Sequence, residues 1–315
     1  MIPRAGIPLR ARDGRPGSAT LRVMPALSGS RTVPPGGIDW IQRHARSRVN
    51  DVCAPPVLEA GPDVRGWSGL DRVAVMVHWS ADGRVSRSVS ETVGQLTGLG
   101  YQVAVCSTSE APGPLRWRHG RPGNVAVYRR PNVGIDFGTW GAMLTAFPRL
   151  RAADRVLLLN DSLLGPFAAL DPVIASYEDA ICDVWGLISS NQMSPHFQSH
   201  FVGYKNGVLT DAPLVRFWSN IRLQPTKDHM IRRYERGLFP LLLRVGYRLG
   251  VGFPWHYVVQ AKQNPTIMGW RRLLIYGFPW VKRELVWKPY HLLTDADDVA
   301  AEVSRRFGQD VHAWV

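Results

Sequence analysis

Arg155-Val-Leu-Leu-Leu-Asn160-Asp-Ser-Leu-Leu-Gly-Pro166 sets the architecture of this chain. A short leucine-rich, β-branched run closed by turn residues reads as a strand buried on both faces of a parallel sheet. Its end lifts a lone carboxylate, Asp161, into the following loop. Open α/β sheets bind their ligands at that carboxyl end.

Working outward, apolar runs at 72–78, 100–106 and 124–128 read as further strands, and helical spacing at 85–99 and 137–147 separates them. Strands alternating with helices predict an α/β fold with a mostly parallel sheet flanked by helices. Beyond Pro166, strands are expected at 180–187 and 201–204, and helices at 209–219 and 228–245. Residues 1–70 are rich in Pro, Gly and Arg, with one helix-like piece at 38–48, and read as a flexible, loosely packed extension. The expected organisation is this extension, an α/β domain at 71–290, and a helical tail at 291–315.

The 315 residues are 45% hydrophobic and 20% charged, an ordinary globular composition able to bury a sizeable core. Three cysteines without C-x-x-C spacing argue against a disulfide framework or a zinc site and fit a reducing cytoplasm. No run of about 20 apolar residues occurs, so no membrane span is expected. The first 35 residues lack the apolar stretch of a secretory signal. The net charge of +13 is carried almost wholly by arginine, which suits a phosphorylated donor, an anionic lipid surface or nucleic acid.

Upstream of the opening strand, Asn132-Val-Gly134-Ile-Asp136-Phe-Gly-Thr-Trp140 turns from loop into helix. Its glycines allow close backbone approach, and Asn132 and Asp136 supply acceptors for a base or ribose. Asp136 also stands where a helix cap belongs. With Asn160, Asp161 and Ser162 these residues form a candidate nucleotide-sugar site. His196, Gln198 and His200 alternate, so an extended segment would put them on one face. Between Trp270 and Lys288, aromatic and basic residues interleave, which fits either a core with a basic outer face or peripheral contact with anionic headgroups. Single-strand nucleic-acid binders share that texture, but no recognisable nucleic-acid motif accompanies it.

These segments resemble the rhamnan synthesis protein F glycosyltransferases and, behind them, the GT-A nucleotide-sugar transferases. The resemblance is carried by His78 with Asp82-Gly83-Arg84, by 132–140, by Leu157-Leu-Leu-Asn-Asp-Ser162 with Gly165-Pro166, and by Asp183-Val-Trp-Gly-Leu187. It continues in His196-Phe-Gln-Ser-His-Phe201, Tyr234-Glu-Arg-Gly-Leu238, Asn264-Pro-Thr266 and Gly277-Phe-Pro279. It implies a GT-A-like (Rossmann-like) fold and transfer of a sugar, rhamnose by the family's name, from a nucleotide-diphosphate donor to a glycan or lipid-linked glycan. The expected place is the cytoplasm, with peripheral contact on the inner face of the membrane as an option.

It also implies a divalent Mg or Mn ion on an Asp-x-Asp motif. Here that motif is Asn160-Asp161-Ser162, leaving Asp161 as its one carboxylate, with a turn or cap role as the alternative. Glu235 corresponds to the general base of an inverting reaction; the alternative is a surface glutamate paired with Arg232 or Arg236. His196, Gln198 and His200 would line the donor sugar or acceptor. A non-catalytic glycan- or nucleotide-binding protein on a degenerate transferase fold is the competing expectation.

Overall fold

A computed structural model describes residues 43–287 and 298–315. The strands are β1 (Val57–Ala60), β2 (Arg72–His78), β3 (Arg84–Val85), β4 (Gln102–Ser107), β5 (Arg116–Trp117), β6 (Ala126–Arg129), β7 (Arg155–Asn160) and β8 (Leu163–Leu164). They continue with β9 (Val184–Ser190), β10 (His196–Phe197), β11 (Phe201–Lys205), β12 (Leu249–Phe253) and β13 (Val281–Lys282). The principal helices are α1 (Arg87–Gly98), α2 (Ile135–Ala146), α3 (Asp171–Asp179), α4 (Ala212–Ser219), α5 (Arg236–Val245) and α6 (Val299–Phe307).

The main sheet runs β1-β6-β4-β2-β7-β11-β9, with β10 and β12 also paired to β9. Strands β6, β4, β2 and β7 are mutually parallel, as the apolar runs require. Past β7 the direction changes: β11 lies antiparallel to both β7 and β9, while β12 returns parallel to β9. The parallel half therefore ends at the strand that carries Asp161.

Alternation along β2 divides the core. Val73, Val75 and Val77 face the layer of α2, α4 and α5, where Trp140, Met143, Leu214, Trp218 and Leu238 are buried. Ala74 and Met76 face α1 and α3 through Val89, Val93, Leu96, Ile174 and Tyr177. Helix α1 begins where the Ser86 hydroxyl accepts from the Val89 N–H, as an N-cap serine does. Phe137 stacks on Trp218 and Tyr234, locking the start of α2 against the second-half helices. A third cluster packs β8 and β13 with α6, joining Leu164, Phe167, Trp270, Val281, Val303 and Trp314.

Two sequence expectations change here. The lead-in does not extend to Leu70: β1 forms the sheet edge against β6, and Val64 and Trp67 enter the core. Of the helix expected at 38–48, residues 38–42 lie outside the described residues, and the helical turn that follows is Val49–Val52. The described part of the tail, 298–315, holds α6 and packs against the domain, where Ser88 Oγ on α1 donates to the Trp314 carbonyl at 2.6 Å.

Candidate active site

The carboxyl ends of β2 and β7 meet at Asp161. Its Oδ2 accepts from the Trp79 backbone N–H at 2.8 Å, which pins the carboxylate to the loop after β2. Asp161 is buried, and the partner of its Oδ2 lies 82 residues away across the sheet rather than in the local turn. Asn160 forms the turn instead: its Oδ1 accepts from the Ser162 N–H at 3.1 Å and from Ser162 Oγ at 2.6 Å. Its Nδ2 donates to Asp136 Oδ2 at 2.9 Å, bringing the 132–136 segment to the strand end.

Asp136 is in the first turn of α2, and the cap position belongs to Gly134 at φ 80°. A Cβ at Gly134 would lie 2.7 Å from Val49 Cγ2, so the loop needs glycine for space as well as for conformation. Asn132 is buried in the same loop. Behind it, buried Arg130 donates to the Val133 carbonyl at 3.1 Å and to Thr139 Oγ1 at 2.9 Å, tying the loop to α2.

The second half of the site comes from the Ser199–His200 turn between β10 and β11. Asn160 N–H donates to the His200 carbonyl at 3.3 Å. One residue earlier, Ser199 holds Glu235: its Oγ donates to Glu235 Oε2, and its N–H reaches the same oxygen at 3.3 Å. His196 Nε2 lies 3.6 Å from Glu235 Oε1, while its Nδ1 sits 2.8 Å from the Ser194 carbonyl. A carbonyl at that distance takes a proton from Nδ1 and leaves Nε2 as the acceptor in neutral histidine.

Glu235 therefore has no pairing with Arg232 or Arg236 of the kind a surface glutamate would make; Arg236 turns to Ser194 Oγ at 3.2 Å. The local cause is the π-helical turn Ile231–Glu235, which interrupts the helical register just before α5. Such turns recur where a helix presents a working side chain.

The structure does not keep His196, Gln198 and His200 on one face. The turn at 199–200 breaks the extended segment, so His196 reaches Glu235, Gln198 Nε2 donates to Asn264 Oδ1 at 2.8 Å, and His200 goes beneath β7. There His200 lines a small cavity with Asn160, Asp161, Met76, Leu163 and Trp280. Its Nε2 is buried without a hydrogen-bond partner. Burial first, and the Lys282 charge second, hold its imidazole well below the ordinary histidine range. His78, whose Nδ1 is 3.0 Å from Ser107 Oγ, is also depressed by burial, against the opposing pull of Asp161.

Lys282 and Ser199 carried no functional expectation from sequence. Strand β13 pairs antiparallel with β8, setting Lys282 opposite Leu163, and Lys282 Nζ donates to Ser162 Oγ at 3.2 Å. Gly165 makes this approach possible: at φ 117°, a Cβ there would sit 2.5 Å from the Pro279 carbonyl oxygen. Interleaved aromatic and basic residues were the visible signal, but they pointed equally to a surface. Trp270, Phe278 and Trp280 are core, whereas Met268, Ile275, Tyr276 and Trp287 are exposed.

The oxygen donors fit a divalent ion poorly. Among the described residues no three His, Cys, Asp or Glu side chains converge as a metal site. At the strand end, one Asp161 oxygen is engaged by a backbone amide, Asn160 Oδ1 by Ser162, and Ser162 Oγ by an ammonium. Hard cations need several free oxygens at once. No helix among the described residues is long and apolar enough to cross a membrane.

Several known proteins are similar to this chain. The virulence protein VirA of Vibrio anguillarum is 28% identical over 189 residues, covering 50% of this chain and 60% of that protein. An uncharacterised protein, y4gN, of Sinorhizobium fredii is 23% identical over 155 residues, covering 48% of this chain and 40% of its own. The chain thus spans less than two thirds of these curated relatives. A crystal structure of the galactosyltransferase LgtC with donor and acceptor sugar analogues overlaps 56% of this chain and 72% of its own, at 11% identity and a TM-score of 0.30. That likeness is too distant to argue from. The model of the rhamnan synthesis protein F family matches residues 125–309, more than half of the sequence, and the chain belongs to that family.

Proposed function

We propose that this protein is an inverting glycosyltransferase, moving rhamnose from a nucleoside-diphosphate donor to a growing cell-surface polysaccharide or lipid-linked glycan. The observation that carries the reading is the Ser199–His200 turn, which ties the Asp161-bearing strand end to Glu235 through two adjacent residues. A donor-side carboxylate and a base-side carboxylate thereby share one rigid support. Family membership supports the sugar chemistry, and the family's name supports rhamnose.

In this reading Asn132, Gly134 and Asp136 receive the nucleotide, and Asn160, Asp161 and Ser162 orient the diphosphate and donor sugar. Glu235 takes the proton of the acceptor hydroxyl as its oxygen attacks the anomeric carbon. The bond from that carbon to the diphosphate oxygen breaks on the opposite side, and its electron pair leaves with the nucleoside diphosphate. His196 lies beside the carboxylate, 3.6 Å from Glu235 Oε1, while Gln198 is held by Asn264 and His200 stays in the small cavity beneath the strand end. Exposed Ile275, Tyr276 and Trp287 support peripheral contact with the inner face of the membrane.

The test is transfer from a panel of nucleoside-diphosphate sugars to a rhamnan acceptor by the wild-type chain and by Asp161→Asn and Glu235→Gln. Both variants should fold, keep near-native stability and lose at least about 100-fold in kcat, within the usual range for a positioned acid or base. Donor binding without turnover in the wild type would favour the non-catalytic alternative. Full activity in both variants would end the assignment.

A further inference from the structure

The chain brings its own positive charge to the diphosphate end of the site. Lys282 Nζ donates to Ser162 Oγ at 3.2 Å, and the Arg283 N–H donates to the Ser162 carbonyl at 3.2 Å. Lys282 is thus attached by its ammonium, and Arg283 by its backbone, to the residue that follows Asp161, on the strand pair β8 and β13. The Arg283 guanidinium lies over the Trp287 ring at 5.1 Å, and its Nε is buried without a hydrogen-bond partner. Their charges reach both sides of Asp161: Lys282 acts on His200 and Arg283 on His78. Around the strand end, meanwhile, one Asp161 oxygen, Asn160 Oδ1 and Ser162 Oγ already have partners within the protein.

We infer that Lys282 and Arg283, rather than a divalent ion, bind the donor diphosphate and neutralise it as it departs. This rests on the transferase reading above. When the bond between the anomeric carbon and the diphosphate oxygen breaks, that oxygen keeps the electron pair and the leaving nucleoside diphosphate gains one negative charge. An ammonium supplies a compact point charge and a guanidinium supplies a fork that matches two phosphate oxygens, so the pair covers both needs. Fixed charges aimed where negative charge develops need no reorganisation at the moment of transfer.

Calorimetric titration of the full chain with inorganic pyrophosphate, UDP, GDP and dTDP, each in EDTA and again in millimolar Mn ions, tests this. Pyrophosphate and at least one nucleotide should bind equally well in both conditions. Lys282→Ala and Arg283→Ala should each weaken that binding about 10- to 100-fold, the worth of one charge-assisted contact. Lys282→Arg should retain most of it. Lys282→Met, which keeps the aliphatic stem, serves if the alanine variant loses its far-ultraviolet circular dichroism. Binding that needs Mn ions, or that ignores both substitutions, overturns the inference and leaves the transferase reading standing. Failure of every diphosphate to bind the wild type in either condition overturns both.

Discussion

Ser199→Ala separates the holding of Glu235 from the presence of Glu235. In the wild type, Glu235 Oε2 accepts from both Ser199 Oγ and the Ser199 N–H. The substitution deletes the hydroxyl and leaves the backbone contact at 3.3 Å and His196 at 3.6 Å. A hydrogen bond to a charged group contributes about 1.5–3 kcal/mol. If that contact orients the base for proton transfer, kcat should fall about 10- to 100-fold, since each ~1.4 kcal/mol is tenfold in rate. The assay is steady-state transfer with donor saturating and acceptor varied, alongside thermal denaturation. Donor KM should hold, Ser199→Thr should recover most of the rate, and Ser199→Ala should have little further effect in a Glu235→Gln background. Wild-type kcat in Ser199→Ala, or an equal further loss in the Glu235→Gln background, would refute the role given to this contact.

Gly203→Ala tests the packing beneath the site. A Cβ on β11 would lie 2.3 Å from Tyr177 Cε2, and the Tyr177 hydroxyl is fixed to the Tyr204 carbonyl at 2.6 Å, so the ring has no easy retreat. Overpacking of this kind costs about 1–3 kcal/mol, or about 2–4 °C of Tm per kcal/mol in a large domain, readable by scanning calorimetry. Glu302 predicts an acid-labile tail. Hydrogen bonds from Arg305 chiefly, and from Arg306, lower its carboxyl from 4.5 to about 2. A depressed carboxyl stabilises the fold fully above the unfolded value and loses that contribution as pH falls through 4.5 toward 2. Urea denaturation of wild type and Glu302→Gln should therefore differ at pH 6 and converge as pH falls through that window; a constant difference would disprove the linkage.

The parallel half of the fold was legible because β2, β4 and β7 are uninterrupted apolar runs, a pattern that only burial on both faces explains. Strand β1 was not: four residues after Pro55-Pro56, exposed or half-buried throughout, carry no such signal. The site divides along the same line. Asn160, Asp161 and Asp136 could be singled out because strand end and helix start are local features; the structure joins Asn160 to Asp136 and holds Asp161 on the Trp79 amide. Alternation between His196 and His200 misled, because Ser199 makes a turn without glycine, proline or asparagine to announce it. The contacts of Glu235 with Ser199 and His196 could not be read from the sequence, because a π-helical turn precedes α5 and the partners lie some 36 to 39 residues away. Lys282 was hidden by distance: its contact spans 120 residues and depends on strands of two residues each.

The π-helical turn has a consequence for how this protein can change. It amounts to one surplus residue in an otherwise continuous helix from Lys227 to Val245. Removing any residue between 231 and 234 would restore regular winding and re-face the residues of the bulge itself against the core. Tyr234 would then leave its stack on Phe137, and the segment would have to choose between seating its aromatic ring and presenting its carboxylate. Insertions and deletions are usually tolerated in loops and costly in helices. Here a helix carries an insertion that the core and the site both read, so length in this segment is constrained as tightly as residue identity.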